Sequence, residues 1–150
     1  MQAVTIKYYL FSLLGFCCVS PMEEGRKGTY RHRILVVDDE PDIMLSLKIV
    51  LENSGFKIDA FIDPILALRN FNAGSYDLAL LDIRMPKITG LGLYKELRKI
   101  DDKIKVCFLS AIPNYQEFVK YFPTIKESQV IVKPVDNQTL VERINEIVQL

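Results

Sequence analysis

From residue 34 onward, short runs of β-branched and aliphatic residues alternate with longer segments whose apolar residues recur at near-helical spacing. The first run, ILVV at 34–37, is continuously apolar, as in a strand that is covered on both faces. Strands that are separated by helices pair in parallel, because each helix provides the crossover connection. The alternation therefore predicts an α/β domain built on a parallel sheet, with right-handed crossovers placing helices on both faces.

The same spacing sets the expected boundaries of the elements. The predicted strands are 34–37, 56–61, 78–81, 106–109 and 130–132, and the predicted helices are 42–53, 64–71, 90–99, 114–121 and 137–148. Pro41 suits the first turn of the first helix, and the acidic residues around it suit the positive N-terminal end of that helix. We therefore expect a five-stranded sheet with five helices.

Length, charge and cysteine spacing narrow the class of protein. A chain of 150 residues has room for about one domain. Its 19 basic and 19 acidic residues cancel, which argues against direct binding of nucleic acid. Cys17, Cys18 and Cys107 match neither a zinc site nor a redox pair, and reduced thiols are typical of a cytoplasmic protein.

Residues 1–32 are predicted to be an N-terminal extension, and residues 33–150 to be the domain. The extension has an apolar stretch at 8–19, which is shorter than the ~20 residues that a membrane-spanning helix needs. Two interpretations remain open: an upstream segment with Met22 as the working start, which we favour, or a weak membrane or partner anchor. Because one domain accounts for residues 33–150, we expect no separate output domain in these 150 residues.

Polar residues follow four of the predicted strands. They are Asp38 and Asp39, Asp82, Ser110, and Lys133. Such residues gather at one edge of a parallel sheet. Clustered carboxylates need a cation, and their oxygens suit Mg²⁺, whereas lysine and serine suit a phosphate anion. Each residue alone is commonly structural, but together they predict a phosphoryl site in which Asp82 is the best candidate nucleophile.

Four motifs carry a family resemblance: ILVVDDEPDI at 34–43, LLDIRMPKITG at 80–90, LSA at 109–111 and VIVKPV at 130–135. With these motifs in this order, the chain resembles the receiver domain of two-component response regulators, in its stand-alone, chemotaxis-receiver-like form. The resemblance implies a flavodoxin-like, doubly wound sheet with strand order 2-1-3-4-5.

The resemblance also implies roles for the acidic residues. Asp82 is expected to be the phosphoacceptor, taking a phosphoryl group from a histidine kinase or phosphotransfer protein. Asp39 and Asp82 are the expected Mg²⁺ carboxylate ligands, together with the backbone carbonyl of Arg84. Asp38 is expected to act through metal-bound water.

The resemblance also implies roles for the residues that follow the last two predicted strands. Lys133 is expected to pair with the phosphoryl oxygens, and the Lys133-Pro134 peptide bond is expected to be cis. Ser110 is expected to bond the phosphoryl group and to draw in its loop when the domain switches. Ala111 keeps the small residue that phosphoryl access needs.

Val130 departs from the family pattern, because the switch position three residues before the lysine is usually Tyr or Phe. Valine has no ring to move toward Ser110, so the aromatic part of the switch is missing. Tyr121 and Phe122 lie nearby in sequence, and we expect both to be helix-packing residues.

The function predicted is phosphorelay signal transduction in the cytoplasm, with no enzymatic activity beyond self-phosphorylation and self-dephosphorylation. Phosphorylation is expected to change the face formed by the fourth helix, fifth strand and fifth helix, which recruits a protein target or a second copy of the chain.

One alternative function, motivated by Val130, is a binding module that works without phosphorylation. A weaker one is an Mg²⁺-dependent phosphatase, whose expected second aspartate is replaced by Arg84. A flavodoxin is weaker still, because Asp38 and Asp39 would repel the FMN phosphate.

Overall fold

The computed structural model of the protein describes residues 30–149, which form alternating strands and helices. The strands are β1 (Arg33–Val37), β2 (Lys57–Phe61), β3 (Leu78–Asp82), β4 (Lys105–Ser110) and β5 (Val130–Val132). The helices are α1 (Pro41–Asn53), α2 (Pro64–Asn70), α3 (Gly90–Ile100), α4 (Tyr115–Tyr121) and α5 (Asn137–Gln149). A short 3-10 helix, Glu127–Gln129, precedes β5.

The strands form one parallel sheet in the order β2-β1-β3-β4-β5, which confirms the predicted strand order. The register places Val37 beside Leu81, so the residues that follow β1 and end β3 are neighbours. Ser110 is opposite Val132, so Lys133 leaves β5 next to Ser110. The register therefore brings the ends of four strands to one edge of the sheet.

Two apolar cores cover the two faces of the sheet. On one face, α1 and α5 contribute Leu47, Leu51, Leu140 and Ile144 to a core with Ile34, Val36, Leu78, Leu80, Cys107 and Leu109. On the other face, α2, α3 and α4 contribute Ala67, Leu93, Leu97 and Phe118 to a core with Leu35, Val37, Ala79, Leu81, Val106 and Phe108. β3 is buried throughout and β4 is buried after its first residue, which explains why their sequences are mainly apolar rather than alternating.

Side chains cap the first turns of four helices. Asp63, Thr89, Asn114 and Asp136 each accept a hydrogen bond from a backbone N–H in the first turn of the helix that follows. Such caps satisfy N–H groups that have no partner within the helix. Each of these helices therefore begins at a fixed point near the edge where β1, β3, β4 and β5 end.

The structure confirms every predicted strand and helix, with small differences at their ends. Phe56 was placed in the second strand, but its N–H bonds to the Leu51 carbonyl and it belongs to the turn after α1. Tyr121 was expected to pack, yet 72% of it is exposed. Phe122 does pack, with its ring 4.9 Å from that of Phe118.

The predicted N-terminal extension lies almost wholly outside the described residues. The described part begins at Tyr30, so the apolar stretch at 8–19 and Met22 fall before it. Within residues 30–149, no helix has the length and apolar character to cross a membrane.

Candidate functional site

Three polar side chains are buried at the edge of the sheet where the strands end. Asp38 is 0% exposed, Asp82 7% and Ser110 1%. Asp38 follows β1, whereas Asp82 and Ser110 are the last residues of β3 and β4. Burying such groups is costly unless they are paired, so their partners decide what the site can do.

Lys133 bridges the two buried carboxylates. Its Nζ lies 2.8 Å from Asp38 Oδ2 and 2.7 Å from Asp82 Oδ1. Each carboxylate also accepts a backbone hydrogen bond, Asp38 from Glu40 N at 2.9 Å and Asp82 from Arg84 N at 2.7 Å. Two carboxylates and one ammonium therefore form a buried cluster with an excess of one negative charge.

The pKa shifts reflect this imbalance. Burial raises the pKa of Asp82 above its usual value, and the charge on Asp38 adds to the rise, although Lys133 opposes it. Burial alone would lower the pKa of Lys133, but its hydrogen bonds to Asp38 and Asp82 together raise it. Lys133 is thus held as an ammonium, and it compensates only part of the carboxylate charge.

Two further groups have oxygen atoms that can bind a cation, and both are close in sequence to residues of this cluster. Asp39 is half-buried, and its carboxylate makes no hydrogen bond or ion pair with any residue of the described range 30–149. The Arg84 carbonyl accepts no hydrogen bond from those residues either. Across the same range, no three His, Cys, Asp or Glu side chains are grouped closely enough to hold a metal ion. A cation here therefore depends on a backbone carbonyl as well as carboxylates.

Ser110 faces its own loop. Its Oγ accepts a hydrogen bond from Ile112 N at 3.1 Å, while its backbone carbonyl accepts one from Lys133 N at 2.7 Å. Val130 is buried opposite Phe108 in the core on the α2–α3–α4 side. The serine side chain can turn without breaking a strand hydrogen bond, and no aromatic ring occupies position 130.

The β3–α3 loop closes against the site through Gly90. Gly90 N donates to the Ile83 carbonyl at 3.1 Å, and a Cβ at position 90 would clash with the backbone carbonyl of Asp82. We expect Gly90→Ala to lower the free energy of unfolding by about 1–3 kcal/mol, the usual cost of overpacking. Urea unfolding measures this loss.

Gly92→Ala is the matched control for that prediction. A Cβ at Gly92 would lie 2.9 Å from the Ile88 side chain, which can shift, instead of overlapping backbone, and alanine is the better helix former by about 1 kcal/mol. Its stability should stay close to that of the wild type. Equal losses at the two positions would contradict the proposed clash at Gly90.

The family model for the response regulator receiver domain matches residues 34–145 of this chain. That match spans all four strand ends that form the site. The chain belongs to the receiver-domain family of response regulators.

Known receiver proteins resemble this chain over most of its length. The transcriptional regulatory protein PrrA of Mycobacterium leprae is 34% identical over 122 residues, which cover 81% of this chain and 52% of PrrA. The chain thus spans about half the length of that relative. The chemotaxis protein CheY of Treponema pallidum is 30% identical over 121 residues, covering 79% of this chain and 83% of CheY.

A solved receiver structure shares the fold closely. In the crystal structure of histidine kinase ThkA in complex with response regulator protein TrrA, one chain matches with a TM-score of 0.65 and 36% identity. The match covers 77% of this receiver and 97% of that chain. The flavodoxin-like architecture predicted from the sequence is therefore confirmed by a receiver structure as well as by the strand order.

The structure brings together Asp38, Asp82 and Lys133, and it places Ser110 on the strand between those that carry Asp82 and Lys133. The Lys133-Pro134 peptide bond is cis, as the resemblance implies. Sequence reasoning missed an ion pair between Lys87 and Asp63, whose Nζ and Oδ2 lie 2.6 Å apart. Asp63 follows β2, 24 positions before Lys87, and nothing in the sequence links it to a lysine in another loop.

Proposed function

We propose that this receiver takes a phosphoryl group onto Asp82 and thereby relays a signal to a protein partner. The buried cluster of Asp38, Asp82 and Lys133 carries the proposal. Its excess negative charge lowers the stability of the fold, and charged groups kept at such a cost are typical of functional sites. Apart from this self-modification, we propose no enzymatic turnover of an external substrate.

The residues around Asp82 fit a magnesium ion. Asp38, Asp39 and Asp82 with Lys133 leave an excess of two negative charges, which one divalent cation balances. Carboxylate and carbonyl oxygens are the donors that Mg²⁺ prefers, and Asp39 and the Arg84 carbonyl are free to serve. We propose Asp39, Asp82 and the Arg84 carbonyl as ligands, with Asp38 acting through bound water. When bound, the ion neutralises charge on the phosphoryl oxygens.

The chain's own groups position the transfer. An Asp82 carboxylate oxygen forms the new bond to phosphorus, and the bond from phosphorus to the donor's leaving group breaks. Lys133 is close enough to Asp82 to pair with the incoming phosphoryl oxygens, as a point charge already held as an ammonium. Ser110 Oγ can turn from Ile112 N to donate to the same group. These are the roles that the family resemblance implies for Asp82, Lys133 and Ser110.

The proposed donor is a histidine kinase or phosphotransfer protein, and the proposed location is the cytoplasm. The structure matched in the ThkA–TrrA complex supports such a donor, since that receiver is seen with a histidine kinase. The proposed output is a protein target, or a second copy of the chain, at the face formed by α4, β5 and α5. Phosphorylation adds about −1.5 to −2 charge beside the loop after Ser110, which biases that face.

Labelling of the wild type tests the proposal. The full chain is incubated with a small phosphodonor and Mg²⁺, and its intact mass and the modified peptide are determined. We expect one phosphoryl group, located on Asp82, and no labelling when Mg²⁺ is chelated. A phosphoryl group on another residue, or labelling that is independent of Mg²⁺, would refute the site.

Val130 favours a second candidate function, a receiver-fold binding module that works without phosphorylation. Its buried aliphatic side chain offers no ring to couple the site to the α4–β5–α5 face. This candidate predicts a wild type that neither binds Mg²⁺ nor accepts a phosphoryl group. The labelling experiment therefore separates the two functions.

A further inference from the structure

Lys87 has an unusual backbone conformation in the loop that joins β3 to α3. Its φ angle is +69°, and within residues 30–149 it is the only residue other than glycine with a positive φ. Side chains with a Cβ avoid this region, where glycine or asparagine is the usual residue. The hydrogen bond from Ile88 N to Pro86 O closes a three-residue turn centred on Lys87, and this turn accounts for the positive φ.

The side chain of Lys87 links this loop to the loop between β2 and α2. Its Nζ lies 2.6 Å from Asp63 Oδ2, and the other oxygen of Asp63 accepts a hydrogen bond from Ile65 N at 2.8 Å, capping α2. The hydrogen bond from Lys87 lowers the pKa of Asp63, aided by the backbone N–H groups of α2. Lys87 is therefore anchored to a carboxylate that is itself fixed to the start of a helix.

The β3–α3 loop, which contains Lys87, also carries groups of the proposed phosphoryl site. Arg84 N holds Asp82 Oδ2 at 2.7 Å, and the Arg84 carbonyl is the proposed backbone ligand. Gly90 fixes the end of the loop through its hydrogen bond to the Ile83 carbonyl. Ile88 N bonds to Pro86 O at 2.8 Å within the loop's turn. Met85 is buried in the core and Ile88 packs against it, so the Lys87–Asp63 ion pair adds a polar link from this loop to the start of α2.

We propose that Lys87 is a positioning residue for the phosphoryl site, because its ion pair with Asp63 holds the β3–α3 loop so that the Arg84 carbonyl stays beside Asp82. The inference rests on the proposed function, since it assigns a task within the same site. Lys87 is 59% exposed and Asp63 28%, so the pair lies partly in water. Its effect should therefore be graded, and weaker at high salt.

Three variants separate this role from a general effect on stability. Lys87→Gly removes the ion pair and relieves the positive φ, so the variant should fold. Asp63→Asn removes the charge and keeps an oxygen that can cap α2. Lys87→Arg keeps a cation that can pair with Asp63. Urea unfolding of each full chain confirms that the variants are folded before the site is examined.

Mg²⁺ affinity and the labelling rate are then measured. Isothermal titration with Mg²⁺ alone should show affinity about two- to fivefold weaker for Lys87→Gly and Asp63→Asn, the range for partly exposed ion pairs. Their labelling by a small phosphodonor should be slower at low Mg²⁺ and recover the wild-type rate at saturating Mg²⁺. Lys87→Arg should retain most of the wild-type affinity.

Two results would overturn the inference while the proposed function stands. One is a Lys87→Gly variant that binds Mg²⁺ and is labelled as the wild type is. The other is a Lys87→Arg variant that loses as much affinity as Lys87→Gly does. If the wild type itself neither binds Mg²⁺ nor becomes labelled, the proposed function fails and this role for Lys87 fails with it.

Discussion

Asp82→Asn should abolish phosphoryl labelling and at the same time make the protein more stable at neutral pH. The amide of asparagine is a poor nucleophile, so no phosphoryl bond forms at this position. The stability gain has a separate cause. Asp82 is one of two buried carboxylates that share a single ammonium, and replacing it leaves Lys133 and Asp38 as a balanced pair.

The direction of the pH dependence follows from the raised pKa of Asp82. A carboxyl whose pKa is higher in the folded than in the unfolded state stabilises the fold while it is protonated. That contribution is fully present below the unfolded value of about 3.9 and is lost as pH rises through the folded value. The wild type and Asp82→Asn should therefore be similar in acid. At neutral pH the variant should be more stable by about 0.5–2 kcal/mol, as single stabilising substitutions are.

Urea unfolding between about pH 4 and about pH 8 measures the difference, and Asp101→Asn provides a matched control. Asp101 accepts backbone hydrogen bonds from Gly74 and Lys103, which lower its pKa. The same substitution at Asp101 should therefore reduce stability at neutral pH, and it should leave labelling intact. An Asp82→Asn variant that is less stable than the wild type at neutral pH would show that the cluster stabilises the fold.

Lys133→Met should destabilise the protein more than any other single change to the site. It leaves the carboxylates of Asp38 and Asp82 buried side by side without a compensating charge. Removing one partner from a buried ion pair costs about 3–5 kcal/mol, because the charge that remains is desolvated and unpaired. Labelling should also fall, since the variant lacks the ammonium that is proposed to pair with the phosphoryl oxygens.

Two further measurements identify charge as the cause. The stability deficit of Lys133→Met should shrink as pH is lowered, because protonation of Asp82, whose pKa is raised, removes its repulsion with the neighbouring carboxylate. Lys120→Met, an exposed control on α4, should change stability by less than about 0.5 kcal/mol. A deficit that is constant from neutral pH to acid would instead attribute the loss to packing of the lysine side chain.

The fold could be predicted from local patterns, because each central strand is buried on both faces and therefore continuously apolar. The run at 34–37 and the run at 78–81 are examples, and both are fully buried. The site followed from topology, since a parallel sheet brings the residues after its strands to one edge. Asp38, Asp82 and Lys133 were predicted together for that reason, and they lie within hydrogen-bonding distance.

Features that depend on side-chain geometry across loops could not be predicted. The Lys87–Asp63 ion pair joins residues that are 24 positions apart, and neither residue stands in an apolar pattern. The hydroxyl of Tyr115, at the start of α4, donates to the Ile125 carbonyl at 2.6 Å in the loop that follows this helix. The excess of negative charge in the site could not be predicted either, because the sequence does not show that Lys133 forms hydrogen bonds with two carboxylates at once.

The backbone hydrogen bond from Lys133 N to the Ser110 carbonyl limits how the site can move. It belongs to the ladder between β4 and β5, so the α-carbons of these two residues keep their separation whatever their side chains bind. We therefore expect any movement that begins at the Ser110 side chain to be taken up by the segment from Ile112 to α4, because the sheet holds the backbone of Ser110 in place.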